Sequence, residues 1–202
     1  MYEARKNLGR ALARECPAED CDIVIPIPDS GNSAALGFSE ASGIPYEVGM
    51  IRNHYVGRTF IQPSQFIRDF RVKVKLNPIR EVLKDKRIVI VEDSIVRGTT
   101  SRIRMKTLRD AGAKEIHMRV SCPPLRHPCF YGIDFPTRKE LIASKYSIKK
   151  IRDFIRADSL EYLSLEGMLN AMPLPKNHFC TACFSGDYPT KLPKRLGKGI
   201  LE

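Results

Sequence analysis

Arg87-Ile88-Val89-Ile90-Val91-Glu92-Asp93-Ser94-Ile95-Val96-Arg97-Gly98-Thr99-Thr100-Ser101 is the stretch that decides the fold. Ile88 to Val91 are consecutive β-branched residues, which predict a buried strand. Two acids, Glu92 and Asp93, stand at its end. A turn with Gly98 and several hydroxyls follows, and a helical pattern begins near Thr100. In an open α/β sheet, ligands bind outside the carboxyl ends of the strands. The run therefore gathers a carboxylate pair and the free backbone N–H groups of a helix start at one spot. Carboxylates can hold ribose hydroxyls or Mg²⁺, and the N–H groups can hold a phosphate. A sugar phosphate needs both.

Outward from this run, strands alternate with helices, which argues for a parallel sheet. Residues 3–15 are amphipathic, with Ala4, Leu8, Ala11 and Leu12 on one side. Ile23 to Ile27 reads as a second short buried strand. Pro28-Asp29-Ser30-Gly31 then turns the chain into a small-residue helix, Ser33 to Ser42, which Gly43 and Pro45 end. Tyr46 to Ile51 predicts another strand, 52–64 a loop, and 64–82 a helix or irregular segment. The strand at 87–91 leads to a helix at 100–111 with Gly112 at its C-terminal cap. A strand from Glu115 to Ser121 follows, ended by Pro123-Pro124. Short helices are predicted at 138–144, at 147–156 with Ser147 as cap, and at 164–172. Met172-Pro173-Leu174-Pro175-Lys176 reads as a linker. It divides the chain into a domain over 1–172 and a segment over 173–202, which carries Cys180-Thr181-Ala182-Cys183 and a loose basic tail.

With 202 residues and 43% hydrophobic content, the chain can bury one substantial core. No run reaches the ~18 apolar residues of a membrane-spanning helix. Met1 to Arg5 has no signal-peptide core, so a cytoplasmic protein without membrane contact is expected. The 34 basic and 23 acidic residues leave a formal charge of +11, which argues for an anionic partner. Nucleic acid would suit the charge, but the sequence has no interleaved aromatic-basic motif and no zinc-finger or helix-turn-helix signature. A phosphorylated small molecule is the better fit.

The same run resembles the phosphoribosyl pyrophosphate (PRPP) motif of type I phosphoribosyltransferases. Asp93 to Thr100 narrows the resemblance to the amidophosphoribosyltransferase family. Ala4-Arg5-Lys6-Asn7-Leu8-Gly9, Pro28-Asp29-Ser30-Gly31, Asn53 to Pro63, His127 to Asp134 and Glu140-Leu141-Ile142-Ala143 agree with it, so it covers nearly the whole chain. The resemblance implies an α/β type I phosphoribosyltransferase fold, a central parallel sheet flanked by helices, with a small cysteine-bearing helical segment at the C-terminus. It implies a glycosyl transfer in which ammonia displaces pyrophosphate from PRPP to give 5-phosphoribosylamine, the first committed step of purine biosynthesis. It assigns PRPP binding to Asp29, Ser30 and Gly31 as the pyrophosphate loop. The rest of the PRPP set is Glu92, Asp93, Ser94, Ile95, Val96, Arg97, Gly98, Thr99 and Thr100. Glu92 and Asp93 also serve Mg²⁺ by this resemblance, although many relatives carry Asp-Asp. Asn53 to Phe60 resembles the family's lid. Arg52, Tyr55 and Arg58 are then the expected catalytic residues, closing over pyrophosphate and excluding water.

The family also implies a homotetramer, inhibition by purine nucleotides, and an N-terminal glutaminase domain. This chain opens at Met1-Tyr2 in the family's central region, and its first cysteine is Cys16. Glutamine hydrolysis by the family's route is therefore not expected of it, and nitrogen is expected from free ammonia or from a glutaminase domain or subunit. Six cysteines stand at 16, 21, 122, 129, 180 and 183, and a disulfide framework is not expected in a cytosolic α/β protein. By resemblance, Cys129, Cys180 and Cys183 match three ligands of a structural 4Fe-4S cluster, which needs four thiolates. In cluster-bearing relatives the fourth ligand comes from just before the point where this chain starts; within the chain only Cys16 or Cys21 could substitute, and neither matches the family position. Zinc and free thiols stay open for the same Cys-x-x-Cys. Cys122 reads as a buried strand-end residue. Two rival functions are a PRPP-sensing regulator that binds nucleic acid and a transferase acting on a nucleobase. The acid pair and the lid motif favour catalysis over the first, and no base-recognition segment supports the second.

Overall fold

A four-stranded parallel sheet carries the molecule, with order β1-β4-β5-β6. In chain order the elements are α1 (Tyr2–Glu15), β1 (Ile23–Pro26), α2 (Asn32–Ser42), β2 (Met50–Arg52), β3 (Leu76–Pro78), α3 (Arg80–Leu83) and β4 (Arg87–Glu92). Then come α4 (Thr99–Asp110), β5 (Glu115–Val120), α5 (Ile148–Ile155), β6 (Ser159–Tyr162), α6 (Leu165–Asn170) and α7 (Ala182–Ser185). The computed structural model describes residues 1–53, 76–133 and 137–191.

The alternation of side chains along the strands decides which helices cover which face. Ile25, Ile88, Ile90, Ile116, Met118 and Val120 face one side, where Met105 and Leu108 of α4 and Ile151 and Ile155 of α5 cover them. Val24, Val89 and Val91 face the other, against Leu12 and Ala13 of α1 and Ala34, Ala35 and Phe38 of α2. Both faces are covered, as parallel strands require. A Cβ on Gly9 would fall on the Ala34 carbonyl, and one on Gly37 on the Lys6 carbonyl, so α1 and α2 touch backbone to backbone there.

Several predicted elements shift. The strand expected at 46–51 is a single parallel bridge from Tyr46 to Val24, followed by a short antiparallel pair of β2 with β3. Gly49 lies against the Ile25 side chain, and the segment leaves the sheet edge around it. The helix expected at 138–144 is two 3₁₀ turns, Arg138–Glu140 and Ile142–Ser144. Leu141 between them is extended and fully buried, so burying it breaks the helix. Strand β6 was absent from the sequence reading. Its alternation, Leu160 and Tyr162 inward, is too short to register. The predicted tail from 192 on, and most of 52–82, lie outside the described residues.

Ser147 caps α5 as expected, accepting from the Lys150 N–H, and Ser164 caps α6 in the same way from Gly167. The cysteine-bearing segment docks on residues 126–128, downstream of β5. The Cys183 carbonyl accepts from the Arg126 and His127 N–H groups, and Tyr188 Oη donates to the Pro128 carbonyl at 2.7 Å.

Candidate active site

Two loops meet at the carboxyl ends of β1 and β4. The first, Ile27 to Gly31, runs from β1 into α2 and contains a cis peptide bond between Pro28 and Asp29. Ile27 N–H donates to the Val91 carbonyl at 3.0 Å, and Gly31 N–H to the Ile27 carbonyl at 3.0 Å. A Cβ on Gly31 would stand 2.6 Å from the Val91 oxygen and 2.8 Å from the Ile27 oxygen. Only glycine lets this loop press on the end of the acid-bearing strand. Asp29 is half exposed and pairs with Arg52 of β2, which brings that cation over the loop. Ser30 lies in the same turn.

The second loop, Asp93 to Gly98, treats its two acids differently. Glu92, the last residue of β4, is 3% exposed and pairs with Arg104 of α4. Burial pushes its carboxyl up to about 8, against the opposing pull of Arg104 and with a smaller push from Asp93. Asp93 is exposed at the cleft, and Ser94 Oγ donates to its Oδ1 at 3.2 Å. Ile95 anchors the loop in the core at 2% exposure. The Val96 carbonyl accepts from Ile142 N–H at 2.9 Å, and Arg97 pairs with Glu140. Gly98, at φ +76°, is the N-cap of α4 and gives it no side-chain cap. The first-turn N–H groups at exposed Thr99 and Thr100 and at buried Ser101 are therefore left without a side-chain acceptor from the N-cap. With the helix dipole behind them they form an anion site beside an exposed carboxylate.

No family model matches the chain. It is 54% identical over 201 residues to the amidophosphoribosyltransferase of Synechococcus elongatus, covering 100% of this chain and 41% of that protein. To the amidophosphoribosyltransferase of Methanothermobacter thermautotrophicus it is 54% identical over 198 residues, 98% of this chain and 42% of the other. The solved glutamine PRPP amidotransferase of B. subtilis, complexed with ADP and GMP, superposes with a TM-score of 0.85 at 53% identity. That match covers 96% of this chain and 43% of the B. subtilis chain. The chain belongs to the amidophosphoribosyltransferase family. It spans about two-fifths of the length of these relatives.

Among the expected catalytic residues, Arg52 reaches the first loop, while Tyr55 and Arg58 lie outside the described residues. The sequence reading missed Arg104, the partner of Glu92. The signal was present: Ser101, Arg104, Met105 and Leu108 share one helical stripe, and a cation on a buried stripe needs an anion beneath it. It also missed Ser121, whose N–H and Oγ both donate to the Glu92 carbonyl, at 2.9 and 3.2 Å, and tie β5 to the end of β4.

The thiols divide into two groups. Cys16 and Cys21 pack on the α1–α2 face with Arg119 as neighbour, so neither completes a set with Cys129, Cys180 and Cys183. Cys129 and Cys180 are electrostatic neighbours of Cys183, whose thiol is pushed up to about 11, first by burial and then by Cys129. Among the described residues no three His, Cys, Asp or Glu side chains are grouped to hold a metal ion. The described thiols therefore bring at most three, Cys129, Cys180 and Cys183, to one place, one short of the four thiolates a cluster needs. Cys122 packs at the end of β5 with its thiol raised by burial, as a strand-end residue should be. No helix among the described residues is long and apolar enough to cross a membrane.

Proposed function

We propose that this chain is the phosphoribosyl-transferring part of an amidophosphoribosyltransferase. In this reading PRPP and ammonia give 5-phosphoribosylamine and pyrophosphate. The observation that carries it is the contact of Gly31 with the end of β4, which sets a second loop against the acid pair and the uncapped start of α4. The 5-phosphate sits on the N–H groups of Thr99, Thr100 and Ser101. Asp93 takes the ribose hydroxyls, and the Asp29–Gly31 loop with Arg52 takes the pyrophosphate. The neutral amine then attacks the anomeric carbon, the bond to pyrophosphate breaks, and Arg52 meets the charge that develops on the leaving group. Exposed Asp93 also fits Mg²⁺, which asks for one or two carboxylates plus substrate phosphates and would neutralise the leaving group. Glu92, buried on Arg104, supports the strand end and joins in only by parting from that arginine.

The division at 172/173, the purine nucleotide inhibitors, the tetramer and a glutaminase partner are part of the same proposal. The test is pyrophosphate release from PRPP and Mg²⁺, with and without ammonium, at about pH 8 to 9, where more of the ammonia is neutral. Glutamine serves as the parallel nitrogen source. Ammonium-dependent release is expected. PRPP binding without any release would instead favour a sensor.

A further inference from the structure

The amino ends of β5 and β6 hold a second group of reactive side chains, at the other end of the strands from the sugar-phosphate cleft. Glu115, His117 and Arg119 alternate along β5. His117 and Arg119 stand level with Val89 and Val91, on the face that α1 and α2 pack against. Ser159 opens β6 and is the register partner of His117. Arg119 is 3% exposed, and its guanidinium donates to the carbonyls of Cys16, Pro17 and Met118 at 2.9, 2.8 and 3.2 Å. Its Nη1 also donates to Ser159 Oγ at 2.9 Å.

A guanidinium only donates, so Oγ accepts in that bond and its own hydrogen is free for His117 Nδ1, 2.9 Å away. Nδ1 is then the bare nitrogen. The proton of the neutral ring sits on Nε2, which faces Glu115 Oε2 at 3.3 Å. The order is hydroxyl, imidazole base and orienting carboxylate, with a buried cation against the hydroxyl oxygen. That arrangement activates a serine. Ser159 and His117 are both partly exposed, so the group can be reached from solvent. Glu115 and Glu161, at 40% and 48% side-chain exposure, flank it and outnumber Arg119. A phosphorylated or carboxylate substrate is repelled there, and a neutral one is admitted.

We propose that Ser159 is a nucleophile toward neutral carboxylic esters, with His117 as its base, Glu115 orienting the ring and Arg119 meeting the oxyanion. Oγ attacks the carbonyl carbon, and its proton passes to Nδ1. The bond from that carbon to the ester oxygen breaks, the proton leaves with the alcohol, and the acyl group stays on Oγ. Water then attacks in the same way, restores the Ser159 hydroxyl and releases the carboxylic acid. The probe is p-nitrophenyl acetate, given to the 202-residue chain without PRPP, so the result is independent of the proposed transfer reaction. Peptide mass mapping should find the acetyl group on Ser159, with nitrophenolate released in an initial burst. Ser159→Ala should abolish the burst. His117→Gln should slow acetylation of Ser159 about 100-fold, and Glu115→Gln should slow it less. Circular dichroism spectra like that of the parent verify the fold of each variant, and the mapping on the parent stands without them. Acetyl found only on lysines or the amino terminus, a burst unmoved by Ser159→Ala, or undiminished acetylation of Ser159 in His117→Gln would overturn the proposal.

Discussion

The two loops of the cleft are held in opposite ways. Ile27–Gly31 is fixed by the absence of a side chain: its backbone presses on the Val91 oxygen because Gly31 has no Cβ. Asp93–Gly98 is fixed by side chains arriving from elsewhere, Ile142, Phe154 and Glu140 on the outside and Arg104 under Glu92. A loop set by backbone contact has one position. A loop set by packed and charged side chains can be shifted by a proton or by an anion. The first suits a fixed grip on a leaving group, the second a grip that responds to conditions.

The largest effect is expected at the rigid loop. Gly31→Ala places a methyl against two carbonyl oxygens, and backbone on both sides leaves nothing flexible to yield. Overpacking of this kind costs about 1–3 kcal/mol. A displacement near 1 Å at a reacting centre costs about 100-fold in rate. Ammonium-dependent turnover should therefore fall roughly that far, with a lowered urea midpoint. Turnover near that of the parent would mean that the loop does not work by close contact.

The responsive loop should show itself in pH dependence. Burial holds the Glu92 carboxyl at about 8 against an ordinary 4.5, so between those values the folded chain carries a proton that the unfolded chain has released. Its contribution to stability is complete below pH 4.5 and is lost as pH rises to about 8. Glu92→Gln should flatten that slope in urea unfolding from pH 5 to 8. Arg104→Met should carry the inflection to higher pH, because the counter-charge is gone. An unchanged slope in Glu92→Gln would show that the carboxyl ionises normally and that the loop is as rigid as its neighbour.

A milder effect belongs to Gly98. Its φ of +76° suits glycine, and an L residue there costs about 1–2 kcal/mol. The nearest atom to an added Cβ is the tip of Ile142, which can swing aside. Gly98→Ala should therefore lower stability by about that strain alone, read from the thermal midpoint, and leave more activity than Gly31→Ala. A larger loss of activity than at Gly31 would reverse the assignment of rigid and responsive loops.

Much of this arrangement was legible in the sequence because it rests on local pattern. Four β-branched residues ending in two acids, then glycine and hydroxyls, specify strand, cleft and helix start without reference to anything distant. The separation of Glu92 from Asp93 was not legible. Side-chain alternation sends one inward, but which one depends on Arg104 being twelve residues away on a helix whose rotation only the core decides. The resemblance assigns Gly31 to the pyrophosphate loop. Its second role, contact with Val91, depends on the pairing of β1 with β4 across sixty residues of chain. Likewise β6 is held by β5 and not by its own four residues.

The smallest effect, and the sharpest check on the rigid loop, concerns Asp29 and Arg52. The pair is half exposed, and ion pairs of that kind contribute about 0–1 kcal/mol. Asp29→Asn should therefore leave the unfolding midpoint almost unmoved. It releases Arg52, though, at a position where the proposed leaving group carries most of the negative charge. If the loop is held by Gly31 alone, Asp29→Asn changes pyrophosphate inhibition by a few-fold at most and keeps turnover within the same range. If the ion pair is what holds the loop, turnover drops together with stability, and the distinction between a loop fixed by backbone and one fixed by side chains fails at the place where it was drawn.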